Sequence, residues 1–473
     1  MFFFVIFQDP LYLALEHATK IVPLPIPGKP VKEIGYADDT NVIASSDDSF
    51  LEVFRIFGQF EKATNSKMNL KKTKVYGFGR WEKRRIWPIK ELKVEEEYFT
   101  SLGIHFSSHY DISLRSMWKY IYDKIKNRLS MIKHRNFTLY QKAALINGLI
   151  ASKLWYVAHI YPLPMEYTIL INKEIFKFIW GSHTNPIKRD VLYNSKWYGG
   201  LGLFNIYKKA KSIFVCTVIK SFVLSEENDI VRFYMFKKIG HLFNMTNVPN
   251  RNSHVNTPYY EYAIDTIERC VGHKNFPNLK SKIVYEILSP QVLPEITHKY
   301  DFDWENIFRH LSFRYISIID RNILFKYIYE ILPTNKRLVQ IRIKQSPLCE
   351  YCDMEDSNSH KFYHCFKVQD CLSWLRKVIY YICGVQTESL LKILYLDIPK
   401  IDKRNRNSLC IIITSYISTV WFNRNDLAYI QNIVRAKIIK GQRFHMKLLG
   451  NKAKKIFSDN YCNMDIRILN RLL

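Results

Sequence analysis

Along the first 110 residues, apolar side chains recur at spacings that predict two helices and several short strands. Residues 11–20 and 49–65 have helical periodicity, and prolines at positions 23, 25, 27 and 30 end the first helix. Two β-prone runs, 31–37 and 40–45, flank Asp38 and Asp39 and predict a hairpin with both carboxylates at its tip. Further strands are predicted at 74–78 and 101–106.

Beyond residue 112 the pattern becomes almost entirely helical. Helices are predicted at 117–133, 140–156 and 167–180, and the first of them carries Ile121, Ile125, Leu129 and Ile132 in register. A glycine-rich turn lies within 194–203, and a polar interruption at 244–258 suggests a domain boundary inside a helical stretch that runs to 345. Strands early and helices later predict an α+β fold.

The chain is strongly basic, and its charge is unevenly distributed. Its 473 residues carry 70 Lys and Arg against 43 Asp and Glu, a formal net charge of +27, while a hydrophobic fraction of 48% excludes wholesale disorder. Residues 401–473 contain 14 basic and 4 acidic residues, and residues 111–160 contain 9 and 2. Such an excess suits a polyanionic partner, although a solvated basic surface gives the same composition.

Cysteine usage indicates a reducing compartment. Nine cysteines are an odd number for a disulfide framework, and four of them, Cys349, Cys352, Cys365 and Cys371, fall within 23 residues. The apolar start lacks the basic segment of a signal peptide, and the longest uncharged apolar stretch, 410–422, is too short to cross a bilayer. An intracellular protein without a membrane partner is therefore expected.

Three of these cysteines and a histidine have the spacing of a metal site, Cys349-x2-Cys352-x7-His360-x4-Cys365. Thiolate and imidazole ligands in this order suit tetrahedral Zn²⁺ in a closed structural site. His364, next to Cys365, is the rival fourth ligand. The alternative is a set of free cysteines buried in a helical domain.

The hairpin carboxylates are the sharpest catalytic candidates. Phosphoryl transfer by two metal ions needs carboxylates that bind Mg²⁺ and leave positions open for substrate phosphates. Asp38 and Asp39 at a tight turn fit this need, because two adjacent carboxylates repel one another and a cation offsets that repulsion. The alternative is a solvent-facing turn, in which aspartate is common.

The surroundings of these aspartates resemble the palm of LINE-type (non-LTR retrotransposon) reverse transcriptases. Residues 35–40, Gly-Tyr-Ala-Asp-Asp-Thr, resemble motif C; residues 66–73, Ser-Lys-Met-Asn-Leu-Lys-Lys-Thr, resemble motif D; and residues 99–104, Phe-Thr-Ser-Leu-Gly-Ile, resemble the element that follows, with Ser101 in place of the usual tyrosine. Elements of the family's thumb also match: Trp118, Asn147, residues 153–156, residues 178–180 and residues 196–202.

This resemblance implies functional residues and a domain order. Asp38 would bind Mg²⁺ with Asp39 as its less directly coordinating neighbour, and Lys72 would protonate the leaving pyrophosphate. The family's His-x4-Cys spacing selects His360 rather than His364 as the fourth zinc ligand. A partial palm is implied at 1–110, a helical thumb at 111–205, a helical connector at 206–345, and a zinc-binding domain with a basic helical tail at 346–473. An RNA template, a DNA primer or target DNA, and nuclear localisation are also implied.

One part of the family pattern has no counterpart here. Motif A, which supplies another metal-binding aspartate, and the fingers do not fit into the roughly 35 residues before Tyr36. The expected function is therefore an RNA-directed DNA polymerase that lacks its N-terminal half and is inactive alone. The alternative is a non-catalytic, nucleic-acid-binding remnant of a retroelement.

Two basic segments are candidate nucleic-acid surfaces. Residues 118–135 contain six Lys and Arg interleaved with Trp118, Tyr120 and Tyr122, and a thumb helix of this kind would follow the template–primer backbone. The tail contains eight Lys and Arg between 435 and 455, for which binding and a solvated surface both stay open.

Overall fold

The structure, a computed structural model, is α+β and mainly helical, with three two-stranded sheets among its described residues. The class predicted from the sequence is therefore confirmed. The structure describes residues 2–23, 31–36, 39–84, 86–182, 184–224, 240–243, 258–273, 276, 278–313, 315–384, 386, 389–424, 426–427 and 429–472. Within this part of the chain, the helices are too short or too polar to cross a membrane.

The chain forms two compact units that interleave along the sequence. Unit 1 comprises residues 1–130, 150–174 and 205–290, and unit 2 comprises residues 131–149, 175–204 and 291–473. The division into palm, thumb, connector and zinc-binding domain stays a prediction.

Unit 1 begins with a helix, a hairpin and a second helix. Helix α1 (Phe2–His17) is followed by strands β1 (Glu33–Tyr36) and β2 (Asp39–Val42), which pair antiparallel, and by α2 (Asp47–Thr64). The hairpin and α2 were predicted, but α1 begins nine residues earlier than expected and passes through Pro10. A proline removes one backbone hydrogen bond, whereas burial of Leu11 and Leu15 in a core with residues of α2 favours one continuous helix.

The remaining strands are short. Strand β3 (Lys74–Tyr76) pairs parallel with β4 (Lys93–Glu95), and β5 (Phe99–Ser101) pairs antiparallel with β6 (Ile104–Phe106). The single strand predicted at 101–106 is therefore wrong. Leu102 and Gly103 both have positive φ, 48° and 77°, so the chain reverses there.

Helices make up the rest of unit 1. They are α3 (Tyr110–Ile132), α5 (Ser152–Ala158), the start of α6 (Met165–Trp180), α8 (Ile206–Leu224), α9 (Pro258–Cys270) and α10 (Ser281–Leu288). The last three share a core that includes Phe214, Phe222, Ile267 and Val284.

Unit 2 is built around a helix that has no solvent-exposed face over most of its length. Helix α16 (Lys403–Phe422) is buried at every position from 408 to 421. It packs against α12 (Ile318–Ile328), α14 (Phe366–Cys383) and α17 (Ile430–Leu449). Around them lie α4 (Leu139–Leu145), α7 (Arg189–Tyr193), α11 (Trp304–Leu311), α13 (Asn335–Gln340), α15 (Leu390–Leu394), α18 (Ala453–Ile456), α19 (Asp459–Cys462) and α20 (Ile466–Arg471).

The glycine-rich turn of unit 2 is held by backbone contacts. A Cβ on Gly200 would lie 1.9 Å from the carbonyl oxygen of Asn194, so the chain tolerates only glycine there. Asn147 fixes the next residues, because its amide donates to the Gly202 carbonyl (2.7 Å) and accepts from the Phe204 N–H (3.0 Å). Of the thumb-like residues, Asn147 thus has a structural role.

Acidification is expected to destabilise unit 2 through His310 of α11. This side chain is 6% exposed, and burial lowers its pKa to about 4. Because the folded pKa lies below the unfolded value of 6.5, stability should be constant above pH 6.5 and fall as the pH drops from 6.5 towards 4, by about 3 kcal/mol. Urea unfolding across this range should show a smaller loss in His310→Leu than in the wild type, while the exposed His298→Gln should keep the wild-type pH profile.

Candidate metal centre

The structure brings together the four ligands predicted from the sequence. The Sγ atoms of Cys349, Cys352 and Cys365 and a ring nitrogen of His360 all lie within 4.8 Å of one another. Cys352 Sγ lies 3.2 Å from His360 Nε2. These side chains form a group that could hold a metal ion.

Two local turns produce this arrangement. The first is closed by a β-bridge between Leu348 and Glu355 and by a hydrogen bond from the Cys349 N–H to the Met354 carbonyl (2.7 Å), which places Cys349 and Cys352 together. The second is a single π-helical turn, His360–His364, in which the Cys365 N–H donates to the His360 carbonyl (2.8 Å). Cys365 is also the N-cap of α14, so the last ligand lies at the start of a long buried helix.

The geometry distinguishes between the two histidines. His360 is 6% exposed and its ring faces the thiols, whereas His364 is exposed and lies outside the group. Among the described residues, the group that could hold a metal ion thus contains His360 and not His364.

Burial and mutual proximity make the thiols poor acids in the absence of a cation. Burial, together with repulsion between like charges on the neighbouring thiols of Cys349 and Cys352, raises the pKa of Cys365 to about 12. Burial also raises the pKa of Cys349 and lowers that of His360. A divalent cation reverses this balance for the thiols. Three sulfur donors and one imidazole are compatible with zinc.

The ligand loop is anchored to α13 by a buried carboxylate. Asp356 is 1% exposed, accepts a hydrogen bond from the Asn335 N–H (2.8 Å) and pairs with Lys361 at 3.1 Å. In return, the Asn335 side chain donates to the Leu348 carbonyl (2.7 Å), one residue before the first ligand. These contacts orient the loop independently of any metal.

A second anchor lies on the core side of the site. The Tyr416 hydroxyl of α16 donates to the Phe362 carbonyl (2.7 Å), and the Phe362 ring packs edge-on against Tyr327 at 4.8 Å. Asp356, Asn335 and Tyr416 were not predicted from the sequence. Asp356 alone carried a signal, as an acidic residue between the metal ligands.

The candidate catalytic residues are less closely grouped in the described part of the chain. Asp38 lies outside the described residues. Asp39 is exposed at the start of β2, where it pairs with Tyr36 of β1. Lys72 is exposed on a turn after α2, where its N–H donates to the Asn69 carbonyl (2.9 Å). Among the described residues, Asp39 belongs to no group of three or more potential metal ligands.

The hairpin is packed closely against α1. The Tyr12 hydroxyl lies 3.1 Å from the Thr40 hydroxyl and donates to Gln8 at 3.0 Å. On the other side, the Asn41 amide donates to the Ser101 hydroxyl (2.9 Å). Gly35 permits this packing, because a Cβ there would lie 2.3 Å from the Tyr12 ring.

Replacing Gly35 by alanine should therefore lower the free energy of unfolding by about 1–3 kcal/mol, because the added methyl group overpacks the contact with Tyr12. In a Tyr12→Ala background the ring is absent, and the same change should cost less than about 0.5 kcal/mol. Chemical denaturation of the four proteins measures this coupling. Equal losses in both backgrounds would contradict the described packing.

The basic helix α3 has one buried and one exposed side. Lys119, Lys124, Lys126 and Arg128 are all exposed, as predicted for a binding surface. Trp118 is fully buried and donates from Nε1 to the Pro162 carbonyl (2.9 Å), so its expected role in contacting nucleic acid is wrong. It continues the apolar stripe of Ile121, Ile125 and Leu129 at helical spacing.

No protein-family model matches the chain, and a search of curated proteins gives no match. The likeness to reverse transcriptases therefore rests on the sequence motifs and their order.

Proposed function

We propose that this chain is part of an RNA-directed DNA polymerase of a non-LTR retroelement and acts in the nucleus on an RNA template and a DNA primer. The observation that carries the proposal is the β1–β2 hairpin, in which Tyr36 ends β1, Asp39 begins β2, and Tyr12 of α1 contacts Thr40. Rigid strands behind a turn hold carboxylates in a fixed position for metal binding.

The chemistry proposed for the hairpin is phosphoryl transfer assisted by Mg²⁺. Asp38 and Asp39 would supply metal ligands, and Lys72 would be the general acid for the leaving pyrophosphate. Magnesium needs further oxygen ligands, which substrate phosphates, water and another palm carboxylate would complete.

For the C-terminal cluster we propose a structural zinc ion. Cys349, Cys352, His360 and Cys365 supply four ligands, so no position is left for a substrate, and the site would stabilise the fold. Its anchors on α13 and α16 suit this role, because they tie the ligand loop into the core of unit 2.

The alternative is nucleic-acid binding without catalysis. One observation favours it: among the described residues, Asp39 belongs to no group of three or more potential metal ligands. Both functions use the exposed cations of α3, so binding is the property to test first.

Binding of an RNA template annealed to a DNA primer should weaken steeply as the salt concentration rises. Each phosphate contact contributes roughly 0.9 to the slope of log K against log salt. The double variant Lys119→Gln/Lys126→Gln should lower affinity and reduce that slope by nearly two. Lys280→Gln/Lys282→Gln removes the same charge from exposed positions at the start of α10 and should change neither. Fluorescence anisotropy at several salt concentrations measures both quantities, and a slope near zero for the wild type would rule out the proposal.

A further inference from the structure

Helix α17 presents cations and large apolar side chains together on its exposed side. Lys440, Phe444 and Lys447 lie on one face at spacings of four and three residues, and Leu448 lies beside them. Phe444 is 60% exposed and Leu448 is 62% exposed. We call these four residues the outer face of α17.

The opposite face fixes the orientation of this helix. Val434 and Ile438 are buried, and the Gln442 amide donates to the Cys462 carbonyl (2.7 Å). His445 bridges two partners: its Nε2 donates to the Tyr315 carbonyl (2.9 Å), and its Nδ1 lies 3.0 Å from the Tyr461 hydroxyl. The outer face is therefore displayed on a rigid element.

The charge around this face is of one sign. No acidic residue occurs between Asp426 and Asp459, a stretch that contains eight Lys and Arg. Two of these are engaged within unit 2, since Lys437 contacts Asp320 and Ser418, and Arg435 contacts Asn432 and Asn470. Lys440, Arg443, Lys447, Lys452, Lys454 and Lys455 are exposed, and none of them forms an ion pair with another described residue.

The helix dipole accounts for only part of this arrangement. Cations in the last turn of a helix are favourable, which gives Lys447 a structural reason. The dipole does not explain why Phe444 and Leu448 project beside the lysines into solvent. Binding of a flexible polyanion with exposed rings explains this arrangement, because its phosphates pair with the lysines while one of its bases stacks on the aromatic ring. Bases in a duplex are already stacked on each other, so a duplex gains less from an exposed ring.

We infer that the outer face of α17 binds single-stranded RNA, with a base stacked on Phe444 and phosphates held by Lys440 and Lys447. The choice of RNA rests on the proposed function, in which the unpaired strand is the template. The surface extends over the cations that follow the helix and is separate from the basic face of α3.

The test uses the full chain and a labelled, unstructured, uridine-rich RNA of about 20 nucleotides, a length that exceeds common single-strand site sizes. Phe444→Ala should weaken binding roughly tenfold, and Lys440→Gln/Lys447→Gln should weaken it and lower the salt dependence. Phe444→Trp should retain binding, because it keeps a stacking surface. The matched controls are Phe422→Ala, at a ring that is 52% exposed, and Lys400→Gln/Lys403→Gln, at exposed lysines of the same unit. Both controls should bind like the wild type.

A loss confined to the outer-face variants supports the inference, whether or not single-stranded DNA shows the same loss. Equal affinity of Phe444→Ala and Phe422→Ala for RNA would overturn it. So would losses seen only on DNA, or only on phosphatidylserine vesicles, which would identify the face as a DNA or membrane surface. A blunt-ended RNA–DNA hybrid, which has no single-stranded RNA, separates the inference from the proposed function. Phe444→Ala should bind this hybrid like the wild type. Failure of the wild type to bind it would overturn the polymerase proposal alone.

Discussion

Replacing Cys365 by serine should release the proposed zinc ion and unfold much of unit 2. The Cys365 thiol is 1% exposed and caps α14, a helix that packs on the fully buried part of α16. Structural zinc sites contribute roughly 10 kcal/mol or more to folding of small domains, and about 5 kcal/mol or more should be lost here, where a separate core remains. Metal analysis of protein purified without chelator should find one zinc per wild-type chain and none in the variant, with a lower unfolding midpoint.

The matched control is Cys371→Ser, which changes an equally buried thiol (1% exposed) six residues further along α14. It should retain the metal and lose only the stability expected for a buried polar substitution, about 1–3 kcal/mol. For the histidines, His360→Asn should release zinc more readily than His364→Asn, since only the first ring lies among the thiols. Wild-type protein without metal, or equal metal loss from both serine variants, would contradict the site.

A thousandfold effect is expected from Asp38 in a completed polymerase. Joined to an upstream segment that carries the family's motifs A and B, the chain should extend a DNA primer on an RNA template with Mg²⁺. Asp38→Ala should then slow extension by roughly a thousandfold or more, because loss of a catalytic metal ligand removes several kcal/mol of transition-state stabilisation. The 473-residue chain by itself should bind the primer–template without measurable extension.

Asp48→Ala provides the control for this experiment. Asp48 is an exposed carboxylate in the first turn of α2, ten residues from Asp38, and its loss should leave the extension rate within about twofold of the parent protein. A harmless Asp38→Ala change would overturn the motif C assignment, and robust extension by the chain alone would show that a further palm carboxylate is not required.

Features held by contacts between residues close in sequence could be predicted, whereas features held by contacts between distant segments could not. The candidate metal ligands fall within 17 residues, and two local turns suffice to bring them together, so their spacing was informative. Their anchors were not predictable, because Asn335 and Tyr416 reach the site from helices that are distant in sequence. The hairpin at Asp39 followed from two β-prone runs around a turn, which is also a local signal.

Local patterns failed where a single residue had two competing tendencies. The first helix was predicted over residues 11–20, but it begins at Phe2 and passes through Pro10, because burial of Leu11 and Leu15 favours continuity. Trp118 was grouped with basic neighbours as a binding residue, although its position in the apolar stripe of α3 places it in the core. The interleaving of the two units depends on contacts between remote segments, which neither composition nor periodicity encodes.

The all-round burial of α16 constrains when unit 2 can form as the chain leaves the ribosome. Two of its hydroxyls are satisfied within the helix, as Thr414 donates to the Cys410 carbonyl (2.6 Å) and Ser418 to the Thr414 carbonyl (2.8 Å), so the helix can form early. Its apolar surface, however, stays uncovered until α17 has been synthesised, about 30 residues later, because α12 and α14 cover only part of it. During that interval the nascent chain exposes a long apolar helix that is prone to aggregation. Chaperones that recognise apolar segments should bind this helix until α17 covers it.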